Sequence, residues 1–395
     1  MSKSKKQDKQ RHKPTTLENF FFGCTLQELP SLIPGVLLVV ALVALSIILT
    51  NLLNSMLGFT GLISFILVVI ILGIVLRNLI PVPAICIPGI TFSVKKLLRL
   101  GIILMGIRLS IFDVLKIGAW GIPIVLVCIL TGLVLTVYFS RLLRIPERLA
   151  TLVAVGTGIC GVSAIVATAP GIDAKDEEVS YAVANITVFG LIALVTYPLV
   201  MHWVFHANTT MIGLFLGTSI HETAQVAASG LIYDQTFNAV TYPTALDVAT
   251  VTKLVRNVMM ALIIPAMTFL YSKRAEDIQP GHTSGFKKAV QLFPIFIIGF
   301  LVMAILRSLG DSGLRASGTA FGLWDRAYWA AIHSGIKEWS GYFLATAMAG
   351  VGLSTSFKTM KGLGIKPFYV GLFAAIMVGV VAFIMVFALG RFITI

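Results

Sequence analysis

Gly156-Thr157-Gly158-Ile159-Cys160-Gly161-Val162-Ser163 lies in the middle of an apolar stretch that runs from 149 to 170. A helix that crosses a bilayer takes about 20 mostly apolar residues, so the stretch is long enough. Three glycines fall within six residues, Gly156 to Gly161, and each weakens a helix by roughly 1 kcal/mol relative to alanine. The stretch therefore reads as a helix broken at mid-membrane. Backbone broken at that depth is tolerated only where it is buried in protein or lines a cavity, and a half-helix starting there would offer free N–H groups to an anion. Close packing through small residues is the competing reading.

The rest of the chain is of the same kind. Of 395 residues, 57% are hydrophobic and 12% charged, where a soluble protein has roughly 25% charged. That excludes an ordinary cytosolic enzyme and a nucleic-acid binder, and it predicts an all-α, polytopic membrane protein. Eleven windows qualify as spans: 31–54, 59–77, 97–116, 118–140, 149–170, 179–204, 210–232, 250–272, 289–307, 338–357 and 367–391. The net charge of +13 must be read by position, because basic residues hold membrane loops in the cytoplasm. With the N-terminus inside and the C-terminus outside, most basic residues fall inside. They include the tail from Lys3 to Lys13, then Arg77, Lys95, Lys96, Arg99, Arg141, Arg144, Arg148, Lys273, Arg274, Lys287, Lys288, Lys358, Lys361 and Lys366. The acidic run Asp173, Asp176, Glu177, Glu178 then lies outside. Residues 1–30 read as a basic tail with an interfacial helix over 17–29, 31–56 as an extra first helix, 57–206 as a first repeat and 207–395 as a second.

Internal similarity carries the repeat assignment. Lys96-Leu97-Leu98-Arg99 matches Lys253-Leu254-Val255-Arg256, and Gly158-Ile159-Cys160-Gly161-Val162-Ser163 resembles Ala349-Gly350-Val351-Gly352-Leu353-Ser354. Both pairs are five windows apart, and an odd offset inverts one copy in the membrane, as in many secondary transporters. This predicts inverted five-helix repeats with two broken helices, the fifth and tenth, crossing near the midplane. A competing match of Gly156-Thr157-Gly158-Ile159 with Gly217-Thr218-Ser219-Ile220 breaks the offset and reads as local convergence on a helix-loosening motif.

Within the spans few residues can carry chemistry. His221-Glu222-Thr223-Ala224-Gln225 sits inside the seventh window, where ionisable groups are costly and point to function. Histidine titrates near neutrality, so His221 and Glu222 are the expected proton-coupling pair. Helical spacing places Gln225 on the same face as His221. A buried pair that only fixes packing is the bland alternative, and a zinc-protease motif fails because position 225 is Gln. On the eighth window Lys253, Arg256 and Asn257 share a face. They could hold an oxyanion, for which the arginine fork is suited, or snorkel to the interface. Asn185 and Arg108 are weaker candidates, and Asp247 lies close enough in sequence to pair with a cation. The expected substrate contacts are Thr157, Cys160, Gly161, Ser163, Gly352, Ser354, Thr355, Gln225, Lys253, Arg256 and Asn257. The four cysteines show no metal-ligand spacing, and no catalytic residue, metal or cofactor is expected.

L-M-G-I-R-L (104–109), G-T-G-I-C-G-V-S-A-I-V-A-T-A-P (156–170), G-T-S-I-H-E-T-A-Q-V-A-A-S-G (217–230) and K-L-V-R-N (253–257) resemble the signature segments of the YeiH-type family. These are bacterial inner-membrane proteins held to be sulfate exporters. The resemblance covers the chain from about residue 31 onward. It implies kinship with sodium/proton antiporters and bile-acid symporters, which have inverted five-helix repeats and a core domain moving against a panel. The expected protein is a multi-pass secondary transporter of the bacterial plasma membrane. It would export a small inorganic or organic anion (sulfate, sulfite or an organic sulfonate) coupled to H+ or Na+ by alternating access. Beside the lipid bilayer, a second copy in a homodimer is a further candidate partner. A cation/proton antiporter or a sodium-coupled organic anion symporter of the same fold is the nearest alternative, and an intramembrane enzyme using Ser163 and His221 the distant one.

Overall fold

The computed structural model describes residues 25–56, 64–239, 241–274, 294–356 and 366–393. The basic tail, most of the interfacial helix expected over 17–29, the opening of the ninth window, and Lys287, Lys288, Lys358 and Lys361 lie outside the described residues. Every regular element among them is helical. The helices are α1 (Ile33–Met56), α2 (Phe65–Leu79), α3 (Ile87–Phe92), α4 (Leu98–Met105), α5 (Ile111–Leu142), α6 (Glu147–Gly158), α7 (Val162–Thr168) and α8 (Asp176–Val204). They continue with α9 (Thr209–Ser219), α10 (Thr223–Thr236), α11 (Ala245–Val258), α12 (Met260–Arg274), α13 (Phe296–Ser317), α14 (Arg326–Ser354) and α15 (Lys366–Leu389). One π-turn, Ser93–Leu97, joins α3 to α4. Among the described residues five helical stretches are long and apolar enough to cross a membrane, and α11 with α12, bent by 41°, makes a sixth when the pair is taken as one span. The outward faces are apolar, with Leu37, Ile48, Leu130 and Trp203 exposed, as a lipid-facing surface requires.

The bundle has two ends. At the near end, where α1 and α3 begin, Gly35 lies against Gly89. The segment from α3 through α4 reaches the far end, where Arg108 pairs with Asp247. Ser110 caps α5 there, accepting from Asp113 N at 3.2 Å, and α5 returns the chain to the near end.

The fifth window then goes in and comes back. Arg148, at the start of α6, pairs with Asp173, just beyond α7, at 3.7 Å. Ile145 and Leu149 share one apolar cluster with Ala169 and Ile172. The break between α6 and α7 is therefore the tip of a re-entrant hairpin, not a kink in a crossing helix. Its acidic tail lies at the near end beside Arg148, and not opposite it as the loop count predicts. The 29-residue α8, about 43 Å long at 1.5 Å per residue, crosses to the far end.

There the seventh window repeats the manoeuvre from the opposite direction. Thr209, opening α9, donates to the Pro243 carbonyl at 3.1 Å. Asp234, near the end of α10, accepts from Ala245 N at 3.1 Å. Both limbs thus begin and end beside the start of α11. Between them, Ile220, His221 and Glu222 leave the helical path. Two of the eleven windows therefore turn back inside the bundle, and eleven crossings is not the architecture.

The tenth window is corrected as well. α14 runs unbroken through Gly350-Val351-Gly352 to Ser354, and its glycines serve close packing. A Cβ at Gly352 would stand 2.7 Å from the Ile70 carbonyl oxygen of α2. The break that answers the one at 159–161 lies at 220–222, so the match of Gly156–Ile159 with Gly217–Ile220 has the structural counterpart, and that of Gly158–Ser163 with Ala349–Ser354 does not.

The helices pack as two groups. The hairpins, α5, α8, α11, α12 and α15 pack mainly on one another, as do α1 to α4, α13 and α14. The groups meet chiefly where α10 lies on α2 and α14, and where α5 meets α13.

Candidate functional site at the hairpin tips

The two tips meet in the middle of the bundle. Gly161, with φ +73 and ψ −126, makes the sharp exit from the first tip in a conformation open to glycine at little cost. A Cβ there would lie 3.4 Å from Cα of Glu222 and 3.5 Å from the His221 carbonyl oxygen.

Each tip ends a helix, α6 and α9, and a helix end leaves carbonyls without an internal partner. α11 supplies the donors. Lys253 Nζ donates to the carbonyls of Ile159 (3.1 Å), Ile220 (2.9 Å) and His221 (2.5 Å). Arg256 Nε donates to Gly158 O (2.9 Å), one terminal nitrogen to Thr218 O (2.6 Å) and Ile220 O (3.3 Å), and the other to Thr157 O. Both side chains are 0% exposed. Seven hydrogen bonds thus tie two buried cations to six carbonyls from both hairpins. The negative ends of two helix dipoles offset part of the positive charge, and with the seven hydrogen bonds they explain how lysine and arginine survive in an apolar core.

Lys253 and Arg256 therefore do not snorkel to an interface, and all three ammonium hydrogens of Lys253 have carbonyl partners. Asp247 pairs with Arg108 instead of with either. Asn257, one residue beyond Arg256, turns to the start of α10, where its Nδ2 donates to Thr223 Oγ1 at 3.1 Å.

Of the residues expected to bind substrate, the structure brings Thr157, Cys160, Gly161, Lys253, Arg256 and Asn257 together with His221 and Glu222. Cys160 is buried with its Sγ 3.4 Å from Met260 Sδ. Ser163 lies on the exposed face of α7. Gln225 faces α8, its Nε2 donating to Thr187 O at 3.2 Å. Asn185 is likewise occupied away from the tips, donating to Pro367 O at 2.8 Å. Gly352, Ser354 and Thr355 belong to the packing of α14 on α2: Ser354 and Thr355 donate back to Gly350 and Val351, and the Thr355 carbonyl accepts from Asn78 at 3.0 Å. These three are not brought to the hairpin tips.

Two polar groups at the tips keep unused capacity among the described residues, although the His221 ring also meets the Thr157 backbone. His221 is 2% exposed and its Nδ1 has no partner. The half-buried Glu222 makes no ion pair, although Lys253 is near enough to act on it electrostatically. Thr223, also half-buried, opens α10 and was not singled out by sequence reasoning. Placing the second break at 220–222 would have marked it as the first residue of a half-helix. Among the described residues no cluster of histidine, cysteine or carboxylate side chains is arranged to hold a metal.

The arrangement offers an anion the start of the 14-residue α10, with Thr223 and Asn257 beside it, above two cations whose field is only partly offset. It also holds a carboxylate within the same space.

A family model described as Conserved hypothetical protein 698 matches residues 34–371. The chain is 33% identical over 337 residues to a UPF0324 membrane protein of Bacillus cereus, covering 85% of this chain and 89% of that protein. It is 34% identical over 339 residues to a UPF0324 membrane protein of Corynebacterium glutamicum, covering 85% and 86%. A third such protein, from Streptococcus pneumoniae, is 32% identical over 275 residues, covering 69% and 74%.

Proposed function

The chain belongs to the bacterial membrane-protein family of Conserved hypothetical protein 698, and from that premise we propose that it is a secondary carrier of a small anion that works by alternating access. The observation that carries the reading is the meeting of two re-entrant tips, one from each end of the bundle, at Gly161 and Glu222. A site reached by one hairpin from each side is separated from either side by part of one packed layer, so modest movements can expose it alternately. In this reading α1, α2, α3 with α4, α5, α8, α11 with α12, α13, α14 and α15 cross the membrane. The near end, which carries Arg77, Lys95, Arg141, Arg144 and Arg148, faces the cytoplasm, and the described C-terminal residues lie outside.

The anion binds at the start of α10, held by free N–H groups, Thr223 and Asn257. Lys253 and Arg256 contribute field from behind the carbonyls instead of direct contacts. Sulfate, sulfite and organic sulfonates fit the donor chemistry. Glu222 couples transport to protons, because an anion and an ionised carboxylate in one pocket repel each other. Anion and proton therefore favour each other's binding and travel together. A divalent anion with one proton keeps a net negative charge, and an inside-negative potential drives it outward at about 2.3 kcal/mol per charge per 100 mV. His221, whose free Nδ1 lies at the same tip, is the second proton-handling group.

The test is flux in proteoliposomes. Purified protein should move radiolabelled sulfate, sulfite or a sulfonate, and an imposed pH gradient should change the rate. A Glu222→Gln protein that transports with undiminished dependence on the gradient would remove the coupling role. A flux of Na+ or K+ against protons without any anion flux would establish the antiporter reading in its place.

A further inference from the structure

The two helix groups are joined by hydrogen bonds at the far end. Arg108, just after α4 in the first group, reaches α11 in the second: its Nε donates to Asp247 Oδ1 and a terminal nitrogen to Thr244 Oγ1 at 3.2 Å. The pair is nearly sealed, with side chains 9% and 3% exposed. Beside it Ser64, at the start of α2, donates to Gln235 Oε1, near the end of α10, at 2.7 Å. Ser308 of α13 accepts from Ile111 N, at the start of α5, at 2.8 Å. Below this level the contact between the groups is an apolar surface that includes Ile70 and Met348 on one side and Ala224, Ala228 and Ile232 on the other.

Asp247 has a second set of partners in its own group. Its other oxygen accepts from Thr244 N at 3.1 Å and from Thr244 Oγ1 at 3.0 Å. Loss of Arg108 would therefore leave the carboxylate capping α11, not stranded. Separation of this pair is thus cheaper than that of a buried ion pair whose broken halves keep no partner, because the carboxylate stays hydrogen-bonded to Thr244. An apolar interface with its polar ties gathered at one end, one of them separable, is built to open at that end.

We propose that Arg108 and Asp247, with Ser64 and Gln235 beside them, form a latch that closes the far side of the central site and parts each time the site opens there. This rests on the carrier reading above, and it assigns to Arg108 a gating role.

The first experiment uses Arg108→Cys with Asp247→Cys in a full-length chain in which Cys24, Cys86, Cys128 and Cys160 are replaced by alanine. Oxidative cross-linking should abolish sulfate, sulfite or sulfonate flux in proteoliposomes, and a reductant should restore it, with either single cysteine insensitive to oxidant. A cross-link formed with flux unchanged would overturn the latch. The second measurement does not require transport. Arg108→Gln and Asp247→Asn are introduced together, so that no lone charge is buried. Labelling of a Thr223→Cys reporter by a membrane-impermeant thiol reagent applied to the far side should then rise about tenfold, as a minor open state becomes populated. Unchanged labelling would overturn the proposal. A cysteine-free parent that carries none of these anions would defeat the carrier reading instead, and the labelling result would still decide the latch.

Discussion

Arg256 lies one turn beyond Lys253 on α11, and together they hold the ends of α6 and α9 by carbonyls alone. Removing Arg256 leaves the Thr157, Gly158 and Thr218 carbonyls without the donor that now serves them, each at about 1–3 kcal/mol. Arg256→Met should therefore lower stability by several kcal/mol, read as thermal unfolding in detergent. Arg256→Lys should recover only part, because an ammonium lacks the fork that spans both hairpins. An Arg256→Met protein as heat-stable as the parent would show that the brace is not energetically significant.

Sidedness separates hairpins from crossings. Glu147 and Asp173 are both exposed at the near end, as are Asn208 and Asn238 at the far end. In intact cells an impermeant reagent should label Asn208→Cys and Asn238→Cys, and it should label Glu147→Cys and Asp173→Cys only once the membrane is opened. Labelling of 147 and 173 from opposite faces would restore a crossing fifth window.

Three glycines should respond to alanine for different reasons. Gly161→Ala meets no closer atom than 3.4 Å, so its cost is backbone strain of about 1–3 kcal/mol. Gly318→Ala, at φ +76 with open space around it, is the matched control far from the tips, expected at about 1–2 kcal/mol. Gly352→Ala drives a methyl to 2.7 Å from the Ile70 carbonyl oxygen and must push α14 off α2. It should be the worst tolerated of the three in a thermal unfolding series, and equal stability with the parent would contradict that crossing.

Ligand contact is predicted for Thr223 and Asn257. A bound anion raises the unfolding temperature in proportion to site occupancy. Thr223→Val and Asn257→Ala should each weaken that response to sulfate or sulfite by about tenfold in concentration, the loss of one hydrogen bond to a charged group. Unchanged dose-response curves in both variants would move the anion site away from α10.

The class of the fold was legible because composition alone dictates helices in lipid, and the break at Gly156–Gly161 was legible because three glycines cannot be neutral in a helix. What hydropathy could not distinguish is a window that crosses from one that returns. Both are equally apolar, and the difference lies in long-range partners such as Arg148 with Asp173 and Asp234 with Ala245. The tenth window misled for a related reason: glycines that loosen a helix and glycines that let two helices touch are the same residues, and only the nearness of Ile70 separates the cases. Lys253 and Arg256 stood out as charges in an apolar run. Their partners are backbone carbonyls, which no side-chain pattern records.

The brace also has a place in time. Gly158 leaves the ribosome 98 residues ahead of Arg256, the donor of its carbonyl, and Thr218 leads it by 38. Both hairpins are thus translated before the helix that satisfies them. Until α11 follows, their tips are polar ends with no cap, which lipid does not tolerate. The hairpins must then wait at the aqueous edge, or in the keeping of the insertion machinery, and settle inward as α11 enters. A chain truncated before residue 245 should accordingly be recognised by the cell as unfinished and degraded, however apolar its segments are.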